Sequence, residues 1–289
     1  MDRDNDFEIE LPYERRWENL TLANDFLFCK IMQDEELCTE MIRRILPNID
    51  VGHINFIENQ KNIQEGIRNR GIRLDVFSKA DNGKIYNIEI QTTNKGDLPK
   101  RARAYHMLIS YDILSKDNMK THSYKDLHDA YVIIICTFDP FKHGKHIYTF
   151  YNTCEEVHGL KLNDGAFIIF LNAMGTADDI STELKAFLDI IIGKTSEDPF
   201  IMELEKRLEL AKQDSEWRRE YMKFSLWEQD IRDEGEAKGE ARGIAIGEAR
   251  GEARGIDKAV AFMKASGLSK EYIDNFIKLT TEDAKLQGV

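Results

Sequence analysis

A stretch of alternating residues, Gly71 to Gln91, constrains the fold more than any other part of the chain. Its two halves, 72–77 and 86–91, each alternate with a period of two residues, as β-strands with one buried face do. Between them, Asp81-Asn82-Gly83 is a strong turn signal, because Asn and Gly tolerate the positive φ that tight turns require. The stretch therefore predicts a β-hairpin.

The length of the turn decides which residues face each other. A three-residue loop, with its glycine in the left-handed conformation, pairs Ala80 with Lys84 and places Asp75 opposite Glu89. A two-residue loop would place Asp75 opposite Ile90, on the apolar face. We therefore predict the three-residue register, with the Cβ atoms of Asp75 and Glu89 about 5 Å apart on one face.

Two carboxylates at this separation repel each other unless a positive charge lies between them. A divalent cation supplies that charge, because Mg²⁺ is usually held by one or two carboxylates together with waters and substrate phosphates. Asp75 and Glu89 are therefore candidate ligands for Mg²⁺ or Mn²⁺.

The order of motifs around the hairpin adds a resemblance. Asp75 is followed by Glu89-Ile90-Gln91, then by Leu98-Pro99-Lys100-Arg101-Ala102-Arg103, then by Tyr105. This order resembles the PD-(D/E)XK nuclease superfamily, specifically its recombination-promoting nuclease and transposase family. The likeness covers most of the chain and includes four shorter stretches and a Gly-Glu-rich tail; the stretches are 24–30, 135–141, 170–172 and 217–222.

The resemblance implies an α/β fold of the restriction-endonuclease type, a mixed sheet flanked by helices, followed by a helical C-terminal extension. It also implies a metal-dependent DNA endonuclease acting in recombination of mobile DNA, with Asp75, Glu89 and Gln91 as catalytic residues. Asp25 could add a third carboxylate to the metal site, although capping a helix is the simpler role for it.

Gln91 departs from the superfamily pattern, which has Lys there, although Glu-x-Gln is usual within the family. An amide can orient water but carries no fixed charge, so either nearby basic residues supply that charge or activity is weak. The alternative function is therefore a nuclease-fold protein without turnover that binds nucleic acid or oligomerises. The presence of both carboxylates, Asp75 and Glu89, favours the enzyme.

A predicted helix after the hairpin carries the candidate DNA-binding residues. Asp97 and Pro99 signal its start, where backbone N–H groups favour an anion. The resemblance points to phosphate binding by this helix, whereas charge alone favours a merely solvated face. The candidates are Lys100, Arg101, Arg103 and Tyr105.

Charge is distributed unevenly along the chain. The net charge is −12, yet residues 61–103 carry ten Lys or Arg against five Asp or Glu, which leaves −17 for the remainder. A basic segment around paired carboxylates suits a phosphate backbone as ligand.

The start of the chain lacks the features of a signal peptide, and no apolar run approaches the roughly 18 residues of a membrane span. The four cysteines form no Cys-x-x-Cys pair, so we expect buried thiols in a reducing cytoplasm and no zinc. His143 and His146 are expected in an exposed turn rather than at a metal.

The sequence suggests four segments. Residues 1–193 form the nuclease-like domain with a sheet of about five strands, in which 59–70 is expected to be a loop. Residues 194–233 contain a long helix running from Pro199 to about Ile231, and 257–289 form a short helical pair. Between them, 234–256 repeat glycine every four residues, which predicts a flexible spacer or a helix formed only with a partner, such as a second copy of the chain.

Overall fold

The computed structural model describes residues 17–63, 72–115 and 124–286. Six strands form one sheet: β1 (Ile54–Ile63), β2 (Ile72–Ala80), β3 (Ile85–Gln91), β4 (Ala130–Cys136), β5 (Ile147–Phe150) and β6 (Ala166–Asn172). The helices are α1 (Asp25–Ile31), α2 (Glu35–Ile45), α3 (Leu98–Ser115), α4 (Thr182–Ile191), α5 (Pro199–Gln213), α6 (Ser215–Ala265) and α7 (Lys270–Leu286).

The sheet is mixed, with strand order β1-β2-β3-β4-β6-β5. Strand β2 is antiparallel to both β1 and β3. Strands β3, β4 and β6 are parallel to one another, and β5 is antiparallel to β6. Every residue of β4 is buried, as expected for a central parallel strand covered on both faces. The carboxyl ends of β3, β4 and β6 therefore meet at one edge of the sheet.

Helices cover both faces of this sheet. Residues of α1, α2, α4 and α5 pack on one face around Met41, Ile133 and Phe187, and α3 packs on the other face through Ala102 and Tyr105. The predicted α/β architecture, a mixed sheet flanked by helices with a helical C-terminal extension, is confirmed.

Local capping signals decide where the first two helices begin. The Asn24 side chain accepts a hydrogen bond from the Leu27 amide, and Asp34 accepts from Glu36 and Leu37. The cap of α1 is Asn24, so the capping role expected for Asp25 is not observed.

The extent of β1 corrects two predictions. Residues 59–63 continue β1 in register with β2, with Lys61 opposite Leu74, so they are strand rather than loop; 64–71 lie outside the described residues. Among the residues that the structure describes, the sheet has six strands instead of about five. A strand at the edge of a sheet tolerates polar residues, so residues 59–63 lack the apolar pattern from which a strand is predicted.

The predicted long helix from Pro199 to Ile231 is wrong in its bounds. It is interrupted at Asp214, whose side chain accepts from the Glu216 amide at 2.7 Å at the start of α6, and α6 then runs through the glycine repeat to Ala265. Glycine weakens a helix by about 1 kcal/mol against Ala but keeps its backbone donor, so it does not stop one. None of the six repeat glycines has a positive φ.

The chain divides into two compact units, with the boundary between Arg219 and Glu220 within α6. No helix in 17–63, 72–115 or 124–286 combines the length and apolar character needed to cross a membrane.

All four cysteines are free thiols, and Cys154 alone of them is only partly buried. His143 is exposed as predicted, but the prediction is wrong for His146, which is buried with its Nδ1 2.9 Å from an oxygen of Asp179.

Candidate functional site

The β2–β3 hairpin has the predicted register. The Ala80 amide donates to the Lys84 carbonyl at 3.0 Å across a three-residue loop, and Gly83 has a φ of +84°. The ladder from Lys79 opposite Ile85 to Val76 opposite Ile88 follows this register, and one further step along it puts Asp75 opposite Glu89. The Asp75 amide donates to Glu89 Oε1 at 3.2 Å, so the two residues are neighbours across the strands.

The Glu89 carboxylate is buried, with 2% of the residue exposed, and is held by neutral donors. Besides the Asp75 amide, Asn87 Nδ2 donates to Oε1 and the Tyr105 hydroxyl donates to Oε2, both at 3.1 Å. Burial raises the pKa of the Glu89 carboxyl above its usual range, against the opposing effects of Asn87, Asp75 and the Arg101 charge.

Arg101 connects this carboxylate to Gln91. Its Nη1 donates to Gln91 Oε1 at 2.8 Å, its Nη2 donates to the Tyr105 hydroxyl at 2.6 Å, and the same Nη2 lies 3.9 Å from Glu89 Oε2. Arg101 and Tyr105 are four residues apart on α3 and therefore share a helix face. Burial and the Glu89 charge raise the pKa of Tyr105, which keeps its hydroxyl a donor.

The four predicted DNA-binding residues separate into two groups. Lys100 and Arg103 are exposed, and within the described part of the chain neither forms an ion pair. Arg101 is half-buried and Tyr105 is 4% exposed, so both point into the site. The basic segment 61–103 is therefore not one surface. Lys84 precedes the start of β3, whereas Lys100 adjoins Arg101, which contacts Gln91 at the other end of this strand of roughly 20 Å.

Asp25 lies at the first position of α1 and is partly exposed. One turn later on the same helix, Cys29 donates its Sγ–H to the Asp75 carbonyl at 3.2 Å. Because Asn24 is the cap, Asp25 is not needed for that role. The helix therefore lies beside the strand that carries Asp75.

Asn87 is a site residue that the sequence motifs do not indicate. It is fully buried and donates to Glu89, while its Oδ1 accepts no hydrogen bond from any described residue. The alternation of β3 places Asn87 on the same face as Glu89, two residues before it. This spacing is the sequence signal that could have indicated a contact between the two side chains.

The donors present fit a hard divalent cation. A carboxylate offers about four lone-pair positions, and Glu89 uses three of them for hydrogen bonds, which leaves one on Oε2, the oxygen that accepts from Tyr105. Among residues 17–63, 72–115 and 124–286, no cluster of three or more His, Cys, Asp or Glu could form an all-protein cage. Mg²⁺ and Mn²⁺ suit such a site, because oxygen ligands from water and phosphate complete their coordination.

The sheet order and the flanking helices define an α/β domain of the restriction-endonuclease type. Residues 22–225 match the family model described as PD-(D/E)XK nuclease family transposase, so the chain belongs to this family. The match includes the whole sheet and ends before the glycine repeat. No curated protein and no solved structure matches the chain.

Proposed function

We propose that the protein is a metal-dependent endonuclease that hydrolyses phosphodiester bonds in DNA, with a role in recombination of mobile DNA. The observation that carries the proposal is the position of the buried Glu89 beside Asp75, with Arg101 contacting Gln91 at the same site. Membership of a nuclease and transposase family supports a function of this type.

Asp75 and Glu89 would hold the cation. Bound there, Mg²⁺ or Mn²⁺ would supply Lewis-acid stabilisation of the phosphate and a water of lowered pKa. Asn87 and Tyr105 orient the Glu89 carboxylate from two sides, so its remaining lone pair has a set direction. Such preorganisation of ligands by surrounding hydrogen bonds favours binding.

Gln91 and Arg101 would act together on the attacking water and the phosphate. The Gln91 amide orients the water, and the guanidinium supplies the fixed positive charge that an amide lacks. An Arg side chain stays protonated, so Arg101 stabilises negative charge and does not remove a proton. Lys100 and Arg103, on the exposed side of the same helix, would hold the DNA backbone.

One observation favours the alternative, a nuclease-fold protein that binds nucleic acid without turnover. Glu89 already accepts three hydrogen bonds, and the Gln91 oxygen is occupied by Arg101, so neither side chain requires an ion to satisfy it. In that case the Arg101 network would serve to stabilise the fold.

Plasmid cleavage distinguishes the two functions. We expect the purified protein to nick or linearise supercoiled DNA with Mg²⁺ or Mn²⁺ and to be inactive with EDTA. Glu89→Ala and Asp75→Ala should abolish cleavage, whereas Glu155→Ala, which removes an exposed carboxylate after β5, should not. DNA binding by the parent protein without metal-dependent products would establish the alternative.

A further inference from the structure

The loop between β4 and β5, residues 137–146, leaves the sheet beside the site. Its first residue, Thr137, donates its amide to the Gln91 carbonyl at 3.1 Å. Cys136 at the end of β4 is opposite Gln91 in the parallel ladder. The loop therefore begins at the edge of the sheet where Gln91 lies.

Asp139 holds the conformation of this loop. Its Oδ1 accepts from the amides of Phe141 and Lys142 and from the Tyr148 hydroxyl at 2.8–3.0 Å, and its Oδ2 accepts from the Gly144 amide at 2.7 Å. Burial opposes ionisation here, but these donors lower the pKa of Asp139. Lys142 has a φ of +60°, a conformation that a non-glycine residue keeps only when its surroundings impose it.

The far side of the loop is bound to the segment after β6. The Gly144 carbonyl accepts from the amides of Thr176 and Ala177 at 2.9 and 3.0 Å, and Asn172 Nδ2 donates to the Lys145 carbonyl at 2.9 Å. The loop backbone is therefore ordered before any ligand arrives, and a preorganised loop loses little entropy on binding.

The aromatic ring of Phe141 places the loop on the face of the sheet that carries Glu89. It contacts the Phe170 ring with a centroid distance of 5.0 Å. Phe170 is opposite Ile134, and Ile134 is opposite Glu89. Two strand spacings thus separate Phe170 from Glu89, roughly 10 Å.

The outer side of the loop presents hydrogen-bond donors to solvent. Lys142, His143 and Lys145 are exposed, and none forms an ion pair with a residue that the structure describes. Asp139, the carboxylate within this loop, accepts four hydrogen bonds, from three loop amides and the Tyr148 hydroxyl. Two exposed lysines without an ion pair to a described residue leave a site for an anion.

We propose that this loop is a second contact for the DNA backbone, in which Lys142 and Lys145 bind phosphates of the strand that enters the site. The inference rests on the proposed function, since it assigns a further part of the DNA site.

Salt dependence of DNA binding tests the proposal. The double variant Lys142→Asn/Lys145→Ala removes both charges, and Asn tolerates the left-handed conformation at 142. Lys84→Ala/Lys161→Ala is the matched control, because Lys84 precedes β3 and Lys161 follows β5, both at the opposite edge of the sheet. Binding of a duplex oligonucleotide is measured by fluorescence anisotropy in EDTA at several salt concentrations.

The loop variant should bind more weakly, and its slope of log K against log salt should be less steep by about 1.8, the value for two lost phosphate contacts. The control variant should keep the parent slope. A loop variant with the parent slope, from a parent protein that binds and cleaves DNA, overturns this inference alone. A parent protein that binds no DNA overturns it together with the proposed function.

Discussion

Arg101 donates a hydrogen bond of 2.8 Å to the side-chain oxygen of Gln91, joining the first turns of α3 to the end of β3. The guanidinium therefore lies beside the one position where the sequence departs from the superfamily motif. The hydrogen bond connects the neutral Gln91 to a fixed positive charge. Moving the positive charge from position 101 to position 91 tests whether cleavage depends on it.

Arg101→Ala should lower the single-turnover cleavage rate by on the order of 10²-fold, the effect of removing one electrostatic donor from a transition state. Adding Gln91→Lys to that variant should recover at least tenfold, because the ammonium replaces the lost charge. Gln91→Lys alone should be slower than the parent, since it places a second cation against the guanidinium. Equal rates for Arg101→Ala and the parent would remove Arg101 from the mechanism.

Glu89→Gln should abolish cleavage yet stabilise the metal-free protein at pH 7. Burial raises the pKa of the Glu89 carboxyl in the folded protein above its value of about 4.3 in the unfolded chain. The contribution of this carboxyl to stability is therefore fully present below about pH 4.3 and is lost as the pH rises through the folded-state pKa. The Tm of the variant should exceed that of the parent at pH 7 and converge with it near pH 4. Thermal unfolding in EDTA measures this, with Glu155→Gln as the control; a less stable Glu89→Gln at pH 7 would contradict it.

Arg103→Ala should weaken duplex binding and reduce the salt slope by about 0.9, the value for one phosphate contact. The cleavage rate at saturating DNA should change by less than twofold, because Arg103 is exposed and lies outside the Arg101 network. Substitution of Glu252 in the repeat should leave the slope unchanged. If Arg103→Ala and Arg101→Ala both keep the salt slope of the parent protein, the basic residues of α3 do not contact DNA phosphates and form only a solvated surface.

Asp25→Asn should raise the Mg²⁺ concentration needed for half-maximal cleavage, because α1 contacts Asp75 through Cys29 and carries Asp25 one turn before that contact. Asn24→Ala is the matched control on the same helix. It removes the cap, which should cost about 1 kcal/mol of stability without changing the Mg²⁺ requirement. An unchanged requirement in Asp25→Asn would leave the metal with two protein carboxylates.

The glycine repeat should be dispensable for chemistry. Deleting residues 234–289 should preserve cleavage, since the site lies in the unit that ends at Arg219. Changing Gly239, Gly243 and Gly247 to Ala should raise the temperature at which this helix melts, as followed by circular dichroism, because nothing lies within 4 Å of the added Cβ atoms and each Gly costs about 1 kcal/mol in a helix.

Light scattering then tests our prediction that the repeat supports a homo-oligomer. If the glycines allow close approach of a second copy, the triple Ala variant should have a lower mass than the parent, as should the deletion. An unchanged mass in both variants would show that the repeat is a spacer. Loss of cleavage in a folded deletion variant would show that residues after 233 are needed for the reaction.

The sequence by itself determined the hairpin and its register. Asp81-Asn82-Gly83 sets the turn, and the period of two then places Asp75 opposite Glu89. These features are local: turn geometry and alternation involve residues close together in the chain, so their outcome depends little on how distant segments pack.

Tertiary structure decided what surrounds the carboxylate pair. Periodicity assigned Tyr105 and Arg101 to one helix face but could not say that the hydroxyl would be buried against Glu89 or that the guanidinium would reach Gln91. It likewise could not show that residues 59–63 would add to an edge strand. Those contacts depend on how α3 packs against the sheet and how β1 pairs with β2, because packing and pairing bring together residues that are far apart in the sequence. The burial of a side chain follows from the same packing and not from any local pattern.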